Sequence, residues 1–114
     1  MSVTVYHNPR CSKSRAALTY LEDHGIVPTV VHYLKEPLST AELAELFKEA
    51  GISPHDAIRR GEPVYQELGL STETSNEDVL AAMAAHPILI ERPIVRTLKG
   101  VRIARPTALI AEII

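Results

Sequence analysis

A single cysteine, Cys11, stands in the segment Tyr6-His7-Asn8-Pro9-Arg10-Cys11-Ser12-Lys13-Ser14-Arg15. Val3 and Val5 precede it with strand-like alternation, and a helix-like run, Arg15 to Glu22, follows. A thiol between a strand end and a helix start faces the positive end of the helix dipole, which stabilises its thiolate. Arg10, Lys13, Arg15 and His7 lie within four residues of it, and no acid appears before Glu22. Two readings of Cys11 stand side by side: a small buried hydrophobe, as most lone cysteines are, or an activated nucleophile. Two kinds of cysteine chemistry are excluded. Ser14 occupies the second position of a Cys-x-x-Cys, so no internal dithiol cycle exists. Ala17 stands where a Cys-x5-Arg phosphate loop needs arginine.

His7, four residues before the thiol, suits either a charge that favours the thiolate or proton exchange with a bound oxyanion. A loop or capping histidine is the plainer alternative. His24, His32, His55 and His86 are scattered without ligand spacing, so no metal site is expected. Arg59, Arg92 and Arg105 each sit at the end of an expected element. Singly they read as surface charges; together they are three loops that can reach one thiol.

The elements that must position these residues follow from pattern. A strand is expected over 2–6, broken by Asn8-Pro9. Ser12 or Ser14 can cap the next helix, with Ala17, Leu18 and Leu21 at helical spacing and Gly25 ending it. Val27 to Tyr33 reads as a second strand, parallel to the first because a helix joins them. Ser39 or Thr40 caps a helix over 40–50, and Ser53-Pro54 starts a short one ended by Arg59-Arg60-Gly61. Pro63 to Gly69 reads as irregular, and Ser75 caps a helix over 76–86. Ile88 to Ile90 is strand-like. Residues 94–97 and 101–104 flank Leu98-Lys99-Gly100 as a hairpin, and Pro106-Thr107 opens a last helix through Ile113. A βαβ unit, then helices, then a hairpin and a helix is the order of a thioredoxin-like domain. In that architecture a cis-proline lies beside the active thiol, which points to Arg92-Pro93.

The 114 residues fit one domain, 1–114. An apolar content of 46% with 4% aromatics implies an aliphatic core. A net charge of −2 gives no sign of nucleic-acid or membrane binding. There is no bilayer-length apolar run and no signal-peptide pattern, so the cytoplasm is expected, where a lone thiol stays reduced. Net charge hides a segregation: thirteen of the fourteen acids lie between Glu22 and Glu91, while cations dominate both ends. If the ends meet, they make a basic surface around Cys11.

Several separated blocks resemble one family, the glutaredoxin-coupled arsenate reductases. They are His7 to Arg15, Ile58-Arg59, Tyr65-Gln66-Glu67-Leu68-Gly69-Leu70, His86-Pro87-Ile88-Leu89-Ile90-Glu91-Arg92-Pro93-Ile94-Val95 and Arg102-Ile103-Ala104-Arg105-Pro106. The resemblance spans the chain in order. It implies an α/β, thioredoxin-like fold with a mixed four-stranded sheet and a helical insertion between the βαβ unit and the C-terminal hairpin. It implies that Cys11 attacks arsenate, with His7 near the thiolate. Arg59, Arg92 and Arg105 would hold the oxyanion, and Asn8, Ser14 and Pro93 would support the loop. Arg59 is followed by Arg60, so the register of that loop admits either arginine. The resemblance implies no bound cofactor, glutathione as co-substrate, glutaredoxin as partner, and a monomer. Arg10, Ser12 and Lys13 replace smaller residues of the best-known members and make this loop more basic. The wider family also includes glutathione-dependent thiol reductases and a regulatory module that binds RNA polymerase.

Overall fold

Val5 is fully buried and pairs on one side with Val30 and on the other with Val95, so the first strand is the interior of a sheet. The computed structural model describes residues 2–114. The strands are β1 (Thr4–Tyr6), β2 (Thr29–Val31), β3 (Ile94–Thr97) and β4 (Gly100–Ile103), in the spatial order β2-β1-β3-β4. β1 and β2 are parallel; β3 is antiparallel to both β1 and β4. The mixed four-stranded sheet is the thioredoxin-like arrangement expected from the element order.

The chain divides into two compact units, one made of the chain up to Glu36 with Arg92–Ile114, the other Pro37–Glu91. In the first, α1 (Ser12–Asp23) joins β1 to β2. Ala17 and Leu21 from α1 bury with Val3, Val5, Val95, Ala104, Ile110 and Ile113 in an aliphatic core. β2 is shorter than the apolar run 27–33 because Val27 is almost fully exposed, outside the ladder.

The second unit is the helical insertion: α2 (Thr40–Ala50), α3 (Pro54–Ala57), α4 (Pro63–Glu67) and α5 (Asn76–Ala85). Ser39 and Glu42 close a capping box on α2, and Gly51 ends it in the left-handed region at φ 71°. Leu43, Leu46, Phe47, Val79 and Met83 are buried.

Four expectations are corrected. Neither Ser12 nor Ser14 caps α1: Cys11 is the N-cap residue, without a side-chain capping bond. Pro63 to Gly69 is not irregular, since Pro63 opens a single turn of helix whose Tyr65 is buried. Ile88 to Ile90 is not a strand: Pro87–Leu89 is a 3-10 turn, and Ile90 makes only an isolated bridge to Ile58. The closing helix, expected through Ile113, is a 3-10 helix that spans Thr107–Glu112.

Candidate active site

The loop that carries Cys11 is built by Asn8 and Ser14. The Asn8 carbonyl accepts from the Cys11 N–H at 3.0 Å, closing a turn around Pro9. The Asn8 side-chain oxygen accepts from the Arg10 N–H at 3.0 Å. The Asn8 N–H in turn donates to the Ser14 hydroxyl at 3.3 Å. Ser14 is fully buried, so this bond ties the loop to the first turn of α1 from inside. Arg15 reaches back from the helix and donates to the Pro9 carbonyl at 2.8 Å. The thiol is therefore held at the N-terminus of a twelve-residue helix with no acid in its first turn. It is free and 7% exposed.

Arg105 links the thiol to the cis-proline segment. Its Nη2 lies 3.9 Å from Cys11 Sγ, while its Nε donates to the Arg92 carbonyl at 2.7 Å. Both Arg92–Pro93 and Arg105–Pro106 are cis, the first of them the bond expected from the architecture. The Ala104 N–H donates to the Pro93 carbonyl at 2.9 Å, which holds the two proline segments side by side.

His7 ends β1 and is only 5% exposed. Its Nδ1 has no hydrogen-bond partner among the described residues. Burial lowers its pKa from the ordinary 6.5, helped by nearby His32 and then Arg15. Burial therefore works against a standing positive charge on His7. His32 was not singled out by the sequence. Its edge contact with His7, at 5.8 Å between ring centroids, follows from the β1–β2 register that pairs Tyr6 with Val31.

Cys11, His7, Asn8, Ser14, Arg92, Pro93 and Arg105 thus share one unit; Arg59 belongs to the other. Arg59 follows the Ile58–Ile90 bridge, and its N–H donates to the Leu89 carbonyl at 2.7 Å. Its guanidinium pairs with Glu62 at 3.1 Å, whereas Arg60 donates to the His55 carbonyl at 3.3 Å. Both arginines line a cleft with His55, Asp56 and Glu91. There the Asp56 carboxyl is held below its usual range by the Ser53 N–H and hydroxyl, and further by Arg60 and His55.

The unit that holds Cys11 carries nine Lys and Arg against four Asp and Glu, a formal +5; the other carries three against ten, a formal −7. The two ends of the chain do meet in one sheet, and Arg105 from the C-terminal end reaches the Cys11 sulfur. A buried thiol at a helix N-terminus, within reach of an arginine in a basic unit, suits nucleophilic attack on an oxyanion.

Known proteins place this arrangement. The chain is 45% identical over 115 residues to an arsenate reductase of Rhizobium meliloti strain 1021, covering all of this chain and 82% of that protein. It is 43% identical over 114 residues to an Escherichia coli K12 protein named only as uncharacterized protein YfgD, covering 98% of this chain and 96% of that one. Among solved structures it superposes on an arsenate reductase from Vibrio cholerae with a TM-score of 0.95 at 44% identity, covering 100% and 98% of the two chains. The family model described as the ArsC family matches residues 6–113, and this chain belongs to the ArsC family.

Proposed function

We propose that this protein is an arsenate reductase that works with glutathione and a glutaredoxin. The observation that carries the reading is Arg105, whose guanidinium stands 3.9 Å from the Cys11 sulfur while anchored on the Arg92 carbonyl. In this reading the Cys11 thiolate attacks arsenic(V) of the arsenate monoanion. A sulfur–arsenic bond forms, one arsenic–oxygen bond breaks, and with a further proton the oxygen leaves as water. Neutral His7 is the group that manages that proton. Arg92 and Arg105 neutralise the oxyanion and the charge that develops on it. For Arg59 the assignment as a third anion-binding arginine rests on its sequence motif alone.

The adduct is then turned over by external thiols. Two thiol equivalents become a disulfide, arsenic(V) becomes arsenic(III), and arsenite leaves. The protein acts as a cytoplasmic monomer, in a compartment where its thiol and glutathione stay reduced. Neither nucleic acid nor membrane enters this reading, and among the described residues no helix is long and apolar enough to cross a bilayer.

A second reading is kept by one finding: the 43% identity to the uncharacterized YfgD lies within the range of 40–45% found for the arsenate reductases. It is a glutathione-dependent thiol reductase acting on another substrate. A coupled assay with NADPH, glutathione reductase, glutathione and glutaredoxin separates the two. Arsenate-dependent NADPH consumption that vanishes in Cys11→Ser is the expected result. Turnover of a mixed-disulfide probe without turnover of arsenate would give the second reading. No turnover of either by the folded protein would leave the regulatory binding module.

A further inference from the structure

His7 is a buried ring with one nitrogen unpartnered among the described residues, and something must hold that ring in place. Its backbone is fixed by the sheet, because the His7 N–H donates to the Val31 carbonyl at 2.8 Å. Val31 is the last residue of β2, and the next residue is His32. The parallel register therefore sets residue 32 beside residue 7. The His32 ring meets the His7 ring edge-on, with centroids 5.8 Å apart and planes at 66°. His7 is buried and His32 is exposed, so His32 forms the solvent side of the pair. The charged and titratable groups on the elements packed around β1 are His32 and Tyr33 after β2, Cys11 at the N-cap of α1 with Lys13, Arg15, Tyr20, Glu22 and Asp23 on it, Arg92 before β3 and Arg96 on it. Of these, His32 and Arg15 act electrostatically on His7, and His32 the more strongly.

We propose that His32 is a positioning residue for His7: its ring holds the buried His7 imidazole edge-on from the solvent side. The inference rests on the arsenate reading for the reaction that His7 serves, and the first readout of its test does not depend on that reading. Two like-charged imidazolium rings in such contact oppose each other, so protonation of one disfavours protonation of the other. His32 thus adds to burial in disfavouring the protonated form of His7.

The test compares wild type, His32→Leu and His32→Phe. Leucine removes both the ring and the charge; phenylalanine keeps a ring edge and removes only the charge. The first readout is the NMR titration of the His7 ring carbon-bound protons, which needs no substrate. The His7 midpoint should move up in both variants. The second is the pH profile of kcat/KM for arsenate, whose acid limb should move up with it. At pH values above both midpoints, kcat/KM should fall roughly tenfold in His32→Leu and recover most of that loss in His32→Phe, since the ring edge does the positioning. An unmoved His7 titration in both variants would overturn the proposal and make His32 a surface residue. So would equal kcat/KM losses in the two variants, because then no ring is needed. A moved His7 titration in a protein inactive on arsenate would keep the pair and remove only the arsenate reading.

Discussion

At the residue scale the site rests on a few side chains with separate duties. Cys11 is the only sulfur nucleophile in the chain, so Cys11→Ser should remove turnover completely while leaving the fold intact; circular dichroism and the coupled assay check both halves. Arg105 uses two different nitrogens, one toward Sγ and one on the Arg92 carbonyl. A lysine ammonium cannot serve both directions at once. Arg105→Lys should therefore cost roughly tenfold to a hundredfold in kcat/KM for arsenate despite the retained charge. A loss no larger than that of the exposed Lys13→Ala would count against the assignment. His7 makes a pH prediction whose sign is set by its lowered midpoint. Above the ordinary value of 6.5 both folded and unfolded chains carry it neutral, and stability is full. As pH falls below 6.5 the unfolded chain takes up the proton first, so stability is lost until the folded midpoint is passed. Denaturant unfolding at about pH 7.5 and about pH 5 should show a larger loss in wild type than in His7→Gln. The approach of Arg105 to Cys11 and the cis Arg92–Pro93 bond were legible from motif and element order. His32 was not, because a contact set by strand register leaves no local pattern.

At the scale of elements, the strand–loop–helix unit depends on a hydrogen bond that the sequence suggested in a different form. Ser14 looked like a helix cap, and it is instead inside the first turn of α1 with its hydroxyl turned back to the Asn8 N–H. Capping propensity places serine near a helix start, but it does not say which of several N–H groups the hydroxyl takes. The same limit explains the other differences. Pro63 can open a helix, yet five residues carry too little periodicity to show it. The Ile88-Leu89-Ile90 run is apolar with two β-branched isoleucines, but Pro87 before it and the lone Ile58–Ile90 bridge make it a turn and a short extended stretch. Thr107–Glu112 repeats apolar residues at a spacing that fits α and 3-10 alike. Longer elements with caps at both ends, α2 above all, were legible because Ser39, Glu42 and Gly51 agree with its apolar face. The Ser14 bond yields a prediction. Ser14→Ala leaves the buried Asn8 N–H without its acceptor, which should cost about 1–3 kcal/mol in denaturant unfolding. Since the same bond holds the thiol loop on α1, kcat should fall as well. A variant that loses stability without losing any kcat would show that the loop is held by the Asn8 turn alone.

At the scale of the whole molecule two features govern how the site is fed and emptied. The first is charge. The Cys11 unit carries a formal +5 although the chain as a whole is −2, so an anion meets an attractive field that bulk charge conceals. Raising salt from about 0.05 M to about 0.5 M should lower kcat/KM for arsenate severalfold, and Arg10→Ala with Lys13→Ala should flatten that slope. The second feature is the presence of one cysteine in 114 residues. In the proposed reaction the sulfur is bound to arsenic after attack, and later to the thiol that displaces it. Breaking either bond needs a second thiolate in line with it. Ser14 occupies the position from which a resolving cysteine would act, but a hydroxyl has no such redox chemistry, and it is already bonded to Asn8. In that proposal the electrons come from an external thiol, one small enough to reach a sulfur that is only 7% exposed. Glutathione meets that requirement, and a bulky protein thiol does not meet it unaided. NADPH consumption with glutathione and glutaredoxin should therefore run through many turnovers, whereas thioredoxin with its reductase and no glutathione should support little. Sustained turnover with thioredoxin alone would overturn the external small-thiol step while leaving Cys11 as nucleophile. Ser14→Cys sharpens the test: it supplies an internal thiol where the chain lacks one. If access alone demands glutathione, that variant should gain activity with thioredoxin; if the Ser14–Asn8 bond matters more, it should lose activity with both reductants.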